Sequence, residues 1–176
     1  MKDTVKAIAL ALVAALALMF FIKPTVVKEN SMEPCFEEND YLIVSRQSYG
    51  LFGGEPERGD VVVTHSGLKT DDGSEKLIIK RVIGTPGDAI SVTDGKVYVN
   101  GELLDDSYTK DGYTKGAIED LVVPADTVFC LGDNRGVSLD SRYPEVGFIP
   151  EEDIVGKVVL RLWPIDRAGF IDNPYE

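Results

Sequence analysis

The 176-residue chain contains very little histidine and cysteine. Any Ser-His-Asp triad would have to use His65, the single histidine in the sequence. His65 closes the predicted strand 61–64, and a solvent-facing strand end is the simpler interpretation. Cys35 and Cys130 are too few for a disulfide framework, although they allow one bridge in an oxidising compartment. Two separate buried thiols are the favoured alternative.

Basic charge is also scarce. The chain has 18 basic and 30 acidic residues and a net charge of −12, and its lysines and arginines are not clustered. Such a surface is poorly suited to nucleic acid, so we expect no nucleic-acid partner. About 150 residues lie beyond the first apolar run, which suits one domain with a sizeable core.

One long apolar run occurs, at 7–22. As a helix it would be about 24 Å long, and Thr4 and Val5 can extend it toward the roughly 30 Å of a bilayer core. No small-x-small cleavage site follows it, so an uncleaved membrane anchor is favoured over a cleaved export signal. We expect a lipid bilayer as partner and a single pass through the cytoplasmic membrane.

The predicted topology follows from the position of this run. We expect a short cytoplasmic tail at 1–6, the anchor at 7–22, a tether at 23–30 and an extracytoplasmic β domain at 31–176. The numbers of lysines on the two sides of the run are nearly equal, so positive charge says little about the orientation of the helix in the membrane. The short N-terminal tail and the large C-terminal domain favour an N-terminus inside and a domain outside.

The remaining sequence favours strands. Runs of β-branched residues between turn signals predict strands at 41–44, 60–64, 77–83, 89–92, 96–99, 127–131 and 154–162. Asp94-Gly95 and Asn100-Gly101 are two-residue hairpin signals, because both positions accept positive φ. The polar stretch 105–120 predicts an exposed loop or small flap. The fold class is therefore mainly β, with mixed or antiparallel sheets after one N-terminal helix.

Ser31 and Lys80 are the candidate nucleophile and base. If His65 is not the base, the serine needs another proton acceptor. A lysine can serve only if burial lowers its pKa from about 10.4 toward about 7. Such a shift corresponds to about 4 to 5 kcal/mol of desolvation. Lys80 lies in the run 77–83, which is apolar on both strand faces. The same pattern also allows Lys80 and Arg81 to reach solvent at a strand edge. Likewise, Ser31 fits a capped turn in which Asn30 and Glu33 bond each other's amides.

A polar loop at 132–143 directly follows a predicted strand, which is where sites tend to be built. Its acids and arginines predict a rigid, paired brace. Ser138 in the same loop is placed to bond an amine.

Several motifs occur in order along the chain: Ser31-Met32-Glu33-Pro34, Arg58-Gly59-Asp60-Val61-Val62, Lys80-Arg81-Val82-Ile83-Gly84 with Pro86-Gly87-Asp88, Gly132-Asp133-Asn134-Arg135 through Ser138-x-Asp140-Ser141-Arg142-Tyr143, and Arg161-x-Trp163-Pro164. Each is weak alone, but the ordered set is specific. With this set the chain resembles bacterial type I signal peptidases, membrane-anchored Ser/Lys proteases that remove signal peptides from exported preproteins.

The resemblance implies a role for each matching residue. Ser31 would be the nucleophile, Lys80 the general base and Ser138 the hydroxyl that holds the lysine amine in line. The implied structural ion-pair positions are Arg81, Asp133, Asp140 and Arg142, and the implied substrate-pocket residues are Met32, Phe36, Val27 and Ile79. The substrates would be preproteins that bind as an added β-strand and are cut after small-x-small residues. No metal or other cofactor is implied.

Two positions depart from the family pattern. The main-chain N–H of Ser31 would help to form the oxyanion hole. The second donor is unknown, because Glu29 stands where the family often has a hydroxyl; a backbone amide is the substitute. Cys35 replaces the usual threonine and raises the alternative of a thiol nucleophile.

Two alternatives come from other functional classes. One is a Ser/Lys autoprotease of the repressor-cleavage type, which the apolar anchor disfavours. The other is a non-enzymatic, anchored β-domain for assembly or adhesion, with Ser31 in an ordinary turn.

Overall fold

The computed structural model describes residues 2–49, 53–70 and 73–176. An α-helix, α1 (Lys2–Phe21), leads directly into the first strand, β1 (Ile22–Val26). Within these described ranges, none of the helices is both long enough and apolar enough to cross a membrane. The predicted N-terminal helix is thus present, and its role as an anchor is unconfirmed.

The rest of the described chain is built mainly from β-strands. After β1 these are β2 (Tyr41–Ser45), β3 (Val61–Lys69), β4 (Glu75–Gly84), β5 (Ala89–Thr93), β6 (Lys96–Val99), β7 (Glu102–Leu103), β8 (Ile118–Val122), β9 (Thr127–Leu131), β10 (Ile149–Pro150), β11 (Ile154–Trp163) and β12 (Gly169–Phe170). Three short 3-10 turns are Asn30–Met32, Glu151–Asp153 and Ile165–Arg167. The prediction of a mainly β fold is confirmed.

The described strands form two sheets. The larger sheet has the order β1-β2-β11-β3-β4-β9-β10, with β12 paired to β11, and the smaller has the order β7-β6-β5-β8. All of these pairs are antiparallel. β4 pairs with β3 along most of its length, but with β9 only from Arg81 onward. The β9 side of 75–80 is therefore unpaired in the described sheet.

The two predicted hairpins are confirmed. Asp94-Gly95 joins β5 to β6 with Thr93 opposite Lys96, and Asn100-Gly101 joins β6 to β7. Asp94 has φ 52° and Asn100 has φ 54°, so both turns use the left-handed region that these residue types tolerate. These turns fix the register of the smaller sheet.

Buried apolar side chains form three clusters. One joins the two sheets and contains Ile83, Ile90, Val92, Val97, Val99, Leu104, Val123, Phe129 and Leu131. A second packs the 27–36 region on the larger sheet through Val27, Met32, Phe36, Leu42, Val44, Val61, Val63 and Val158. The third contains Val62, Val82, Val128, Cys130 and Ile149. β3 and β4 supply all three clusters between them, so the middle of the larger sheet is buried on both faces.

The segment predicted as a tether, 23–30, is largely folded into this structure. Its first residues belong to β1, which pairs with β2, and the buried Val27 donates its N–H to the Asp40 carbonyl at 3.0 Å. The β-branched residues at 25–27 favour a strand, and the paired edge of β2 supplies the backbone partners. Ser31 is therefore fixed relative to the larger sheet.

The predicted exposed flap, 105–120, is only partly exposed. Asp106 and Thr114 are buried because both contact the buried guanidinium of Arg135, at 3.0 Å and 2.7 Å. The end of the segment belongs to β8, which pairs with β5. The segment therefore packs on the polar loop 132–143.

Candidate active site

Lys80 is buried inside the larger sheet. The antiparallel register of β3 and β4 places it opposite Val62, and only 2% of its surface is exposed. Its Nζ lies 2.9 Å from Ser31 Oγ and donates to the Ile79 carbonyl at 2.9 Å. Burial lowers the pKa of Lys80 below that of an ordinary lysine, because the charged form has lost its water. The expected hydrogen bond between the two candidate residues is present.

Ser31 lies in the 3-10 turn Asn30–Met32. The turn closes with the Glu33 N–H donating to the Asn30 carbonyl at 3.3 Å, and no side chain caps it. The predicted capping box is therefore wrong: the Glu33 carboxylate instead accepts from Lys110 Nζ at 2.6 Å. Lys110 comes from the 105–120 segment, so a distant part of the chain holds this turn.

The polar loop 132–143 holds the turn from the other side. The Asn134 N–H donates to the Ser31 carbonyl at 3.0 Å, and Asn134 Nδ2 donates to the Asn30 carbonyl at 3.1 Å. A side chain at Gly132 would collide with this arrangement, since its Cβ would lie 2.5 Å from the Ser31 carbonyl oxygen. Glycine at 132 thus allows the loop to approach the nucleophile turn.

Arg81 points to the strand face opposite Lys80 and forms a buried, bidentate ion pair with Asp133. The Nε–Oδ1 and Nη2–Oδ2 distances are 3.0 Å and 2.7 Å, and Arg81 Nη1 donates to the Gly59 carbonyl at 2.8 Å. Such a pair is stable only when its groups are fully bonded, and removing one partner typically costs about 3 to 5 kcal/mol. The sequence pattern predicted pairing among the acids and arginines of the loop itself, whereas this pair joins a loop acid to an arginine of β4.

Asp140 and Arg142 form a second buried pair. Arg142 donates from Nε to Oδ1 at 2.8 Å and from Nη2 to Oδ2 at 2.9 Å, while Asp140 also accepts the Gly132 N–H at 3.1 Å. Arg142 Nη2 additionally donates to the Arg135 carbonyl at 2.9 Å. The pair therefore fixes the backbone of the loop that contacts Ser31.

Ser138 does not make the predicted bond to Lys80. Its Oγ is buried and has no hydrogen-bond partner among the described residues. It packs against Gly132, where an added Cβ would lie 2.3 Å from the hydroxyl oxygen. A buried hydroxyl without a partner is unusual, because it loses its bonds to water without replacement.

A cleft of about 700 Å³ runs beside Ser31 and Lys80, between residues 23–32 and 74–80. Val27, Met32 and Ile79 line it, and their contact with a substrate stays a prediction. Phe36 does not line it: its side chain is fully buried in the second core cluster, below the Arg161 guanidinium. The prediction of Phe36 as a pocket residue is therefore corrected to a core residue.

Glu29 and Lys76 join the two walls of the same cleft. Glu29 Oε1 lies 2.5 Å from Lys76 Nζ, and the side chains are 53% and 32% exposed. A paired carboxylate only accepts hydrogen bonds, so Glu29 supplies no oxyanion donor in this arrangement.

The remaining candidate nucleophile and base groups lie in other environments. His65 Nδ1 bonds Glu75 at 2.7 Å, and its ring is 40% exposed. Both cysteines are free thiols, and burial raises the pKa of Cys35 and of Cys130. A raised pKa disfavours the thiolate, so neither cysteine is activated as a nucleophile.

Four residues that contact the site were missed by the sequence interpretation: Asn134, Arg135, Tyr108 and Lys110. Arg135 and Asn134 stand inside the quoted motif Gly132-Asp133-Asn134-Arg135, which was the available signal. Nothing in the local sequence pointed to Tyr108 or Lys110, whose contacts are long-range.

Comparisons with known proteins show the family of this chain. The family model described as signal peptidase, peptidase S26, matches residues 1–163. The chain belongs to this family. A signal peptidase I from Leptolyngbya laminosa is 38% identical over 99% of the chain and 85% of its own length. A signal peptidase I from Bacillus caldolyticus is 38% identical over 93% of the chain and 91% of its own length.

The chain is also similar to a third relative and to one solved structure. A signal peptidase IB from Staphylococcus aureus is 37% identical over 88% of the chain and 85% of its own length. A crystal structure of a signal peptidase I from Enterococcus faecalis aligns with 59% of this chain and 97% of that one, at 29% identity and a TM-score of 0.47.

Phe36→Ala tests whether Phe36 belongs to the core. We expect a loss of about 3 to 5 kcal/mol in the free energy of unfolding, because a fully buried ring leaves a cavity. Urea unfolding followed by tryptophan fluorescence measures it. Ile79→Ala is the matched control in the cleft wall and should cost less stability. Equal stability of Phe36→Ala and the parent protein would contradict the core assignment.

Proposed function

We propose that the protein is a serine endopeptidase that removes N-terminal signal peptides from exported preproteins, with Ser31 as nucleophile and Lys80 as general base. The observation that carries the proposal is the 2.9 Å contact between Lys80 Nζ and Ser31 Oγ inside a buried sheet. Membership of the S26 family supports the substrate class. The cleft beside both residues offers space for an extended substrate segment.

The chemistry follows from the protonation state of Lys80. The neutral amine takes the Ser31 hydroxyl proton as the oxygen attacks the scissile carbonyl. The proton then passes to the leaving amine, and an acyl-enzyme remains on Ser31. Lys80 next takes a proton from a water molecule that attacks this ester, and returns it to Ser31 Oγ as the bond between that oxygen and the acyl carbon breaks. Burial lowers the pKa of Lys80, so the neutral amine needed for both steps is present at lower pH than in an exposed lysine.

The cleft supports a substrate bound as an added strand. Residues 75–80 of β4 have an unpaired backbone edge in the described sheet, and an extended peptide can pair with such an edge. Val27, Met32 and Ile79 then form shallow apolar surfaces for small side chains. The Ser31 amide is the proposed oxyanion donor, and the second donor would be another backbone amide.

Ser138 is the proposed supporting hydroxyl for the lysine amine. Its unpaired Oγ lies in the loop that contacts the Ser31 turn. Arg81, Asp133, Asp140 and Arg142 support the site by holding this loop and β4 together. None of the four is proposed to react.

Ser31→Ala and Lys80→Met test the dyad. Each should lower the rate of preprotein cleavage in detergent by at least about 10³-fold, because the nucleophile and its base act as one unit. Ser107→Ala and Lys96→Met are matched controls at exposed positions and should keep full activity. Thermal unfolding of all four variants checks that they are folded. Cleavage by both dyad variants would mean that the assignment of the dyad is wrong, whereas a parent protein that does not cleave preproteins would favour the non-enzymatic β-domain.

The pH profile tests the electrostatics around Lys80. The groups that face it are Asp140, Glu29, Cys130 and Lys76; the Glu29 carboxylate raises the pKa of Lys80 and the Lys76 ammonium lowers it. Activity should rise with pH as Lys80 loses its proton. Glu29→Gln should move this rise to lower pH and Lys76→Gln to higher pH.

Cleavage rates from pH 5 to 10 measure the shift. Glu75→Gln, a carboxylate on the same strand that is paired to His65, is the control and should leave the profile unchanged. Movement of both test profiles in the same direction would overturn this account of the lysine.

The same proposal includes membrane attachment through α1, with the N-terminus inside and the β domain outside. Its support is the apolar run 7–22 and the surface of the helix, where Val5, Ile8, Leu10, Leu12, Val13, Met19, Phe20 and Phe21 are exposed. Apolar side chains on an exposed helix need another apolar environment. A bilayer supplies it and places the site near membrane-bound substrates.

Leu10→Glu combined with Val13→Glu tests the attachment. Both side chains are exposed, so the fold should persist, while two charges in a bilayer are expensive. We expect the full-length double variant to lose flotation with liposomes and to keep its activity in detergent. Leu103→Glu with Val122→Glu, at two exposed apolar positions outside α1, is the control and should keep flotation. Unchanged flotation of the double variant would remove α1 as the anchor.

A further inference from the structure

The C-terminal segment, residues 171–176, lies beyond the family match at 1–163 and folds back toward the site. The Ile171 N–H donates to the Val159 carbonyl at 3.1 Å, which anchors the start of the segment on β11. Ile171 packs on the second core cluster and Tyr175 on the cluster between the sheets. The segment therefore crosses from one core cluster to another.

Asn173 holds the turn that bonds Arg81. Asn173 Nδ2 donates to the Arg58 carbonyl at 2.9 Å, and its Oδ1 accepts the Tyr175 N–H at 3.0 Å. Gly59, with φ 97°, packs so closely that a Cβ there would lie 1.8 Å from Asn173 Oδ1. The carbonyl of Gly59 is the acceptor for Arg81 Nη1 at 2.8 Å. Asn173 thus fixes a carbonyl that orients Arg81.

Tyr175 contacts Tyr108, and the Arg81 guanidinium packs against the ring of Tyr108. The hydroxyl oxygens of Tyr175 and Tyr108 lie 2.6 Å apart, and their rings meet edge to face at 5.8 Å. The Arg81 guanidinium lies 4.8 Å from the centroid of the Tyr108 ring, and Arg135 Nη2 donates to the Tyr108 hydroxyl at 3.1 Å. A cation on a tyrosine ring is stabilised most when it is desolvated, as Arg81 is here. Tyr175 thus contacts Tyr108, the residue that packs against Arg81 and accepts a hydrogen bond from Arg135.

We propose that Asn173 and Tyr175 are positioning residues for the reaction, acting on Ser31 and Lys80 through Arg81; this rests on the proposed function. Arg81 follows Lys80 directly on β4, so its orientation constrains the backbone that carries the amine. Arg81 also holds Asp133, whose neighbour Asn134 bonds the Ser31 carbonyl. One guanidinium therefore connects the segment to both reacting groups.

This role predicts a change in turnover without a change in substrate binding. Neither Asn173 nor Tyr175 lines the cleft, so their loss should leave KM unaltered. A displaced amine or hydroxyl lowers kcat, because proton transfer requires a heavy-atom distance of about 2.6 to 3.2 Å. A segment that only stabilised the fold would lower the melting temperature and leave kcat of the folded enzyme unchanged.

The experiment compares Tyr175→Phe, Asn173→Ala and the two together with the parent, all as full-length chains in detergent. Tyr175→Phe removes one hydroxyl and keeps the packed ring. We expect kcat for preprotein cleavage to fall about three- to tenfold for each single variant, as for the loss of one hydrogen bond to a positioned group, with KM within about twofold. Tyr113→Phe, on a ring that is 55% exposed, is the matched control and should keep the parent kcat.

Thermal unfolding of each variant gives the folded fraction at the assay temperature, and rates are taken per folded enzyme. Parent kcat in the double variant, or losses that only follow the folded fraction, would overturn the proposal. A rise in KM at constant kcat would also overturn it, since the segment would then act on binding. Activity in Ser31→Ala would instead mean that the proposed function itself fails.

Discussion

The arrangement of the site depends on the burial of one lysine without a carboxylate to pair with it. Lys80 is almost fully enclosed by the sheet, and none of the described carboxylates forms an ion pair with its amine. The two nearby acids of the loop, Asp133 and Asp140, are each held in bidentate contact by an arginine. Burial therefore favours the neutral amine, because its charge would be neither hydrated nor matched.

The two arginine pairs also explain how a loop that lies about 100 residues later in the sequence is held next to Ser31. Arg81 ties Asp133 to β4, and Arg142 ties Asp140 to the loop backbone, so the loop backbone is held in place on the sheet. Asn134 then bonds the turn that carries the nucleophile. Buried ion pairs contribute little net stability, but they fix geometry when every donor is used. Here the fixed geometry is the separation of Ser31 Oγ and Lys80 Nζ, the proposed reacting atoms.

The proposed membrane anchor and the proposed nucleophile lie in the same short stretch of chain. α1 leads without a linker into β1, and β1 pairs with β2 up to Val26, five residues before Ser31. The proposed anchor and the nucleophile are therefore joined by folded structure. One wall of the cleft, 23–32, is made by this same stretch.

Local sequence was sufficient for the regular elements. The alternation of β-branched residues predicted the strands that became β2, β3, β4, β5, β6, β9 and β11, because side-chain period and turn chemistry act over a few residues. It missed β1, β8 and the two-residue strands β7, β10 and β12, each of which pairs with the edge of a neighbouring strand. The pattern around Lys80 also left both a buried and an exposed lysine open.

By itself, the sequence determined the strands, the hairpin turns and the ordered motifs that contain Ser31 and Lys80. Only the tertiary structure decided that Phe36 is core, that Ser138 is unpaired, and that Glu33 bonds Lys110 in place of capping its turn. It also decided that Tyr175 reaches Tyr108. Each of these contacts joins residues that are far apart in the sequence. They are set by the packing of the whole domain, and a pattern read over a short window of residues does not predict them.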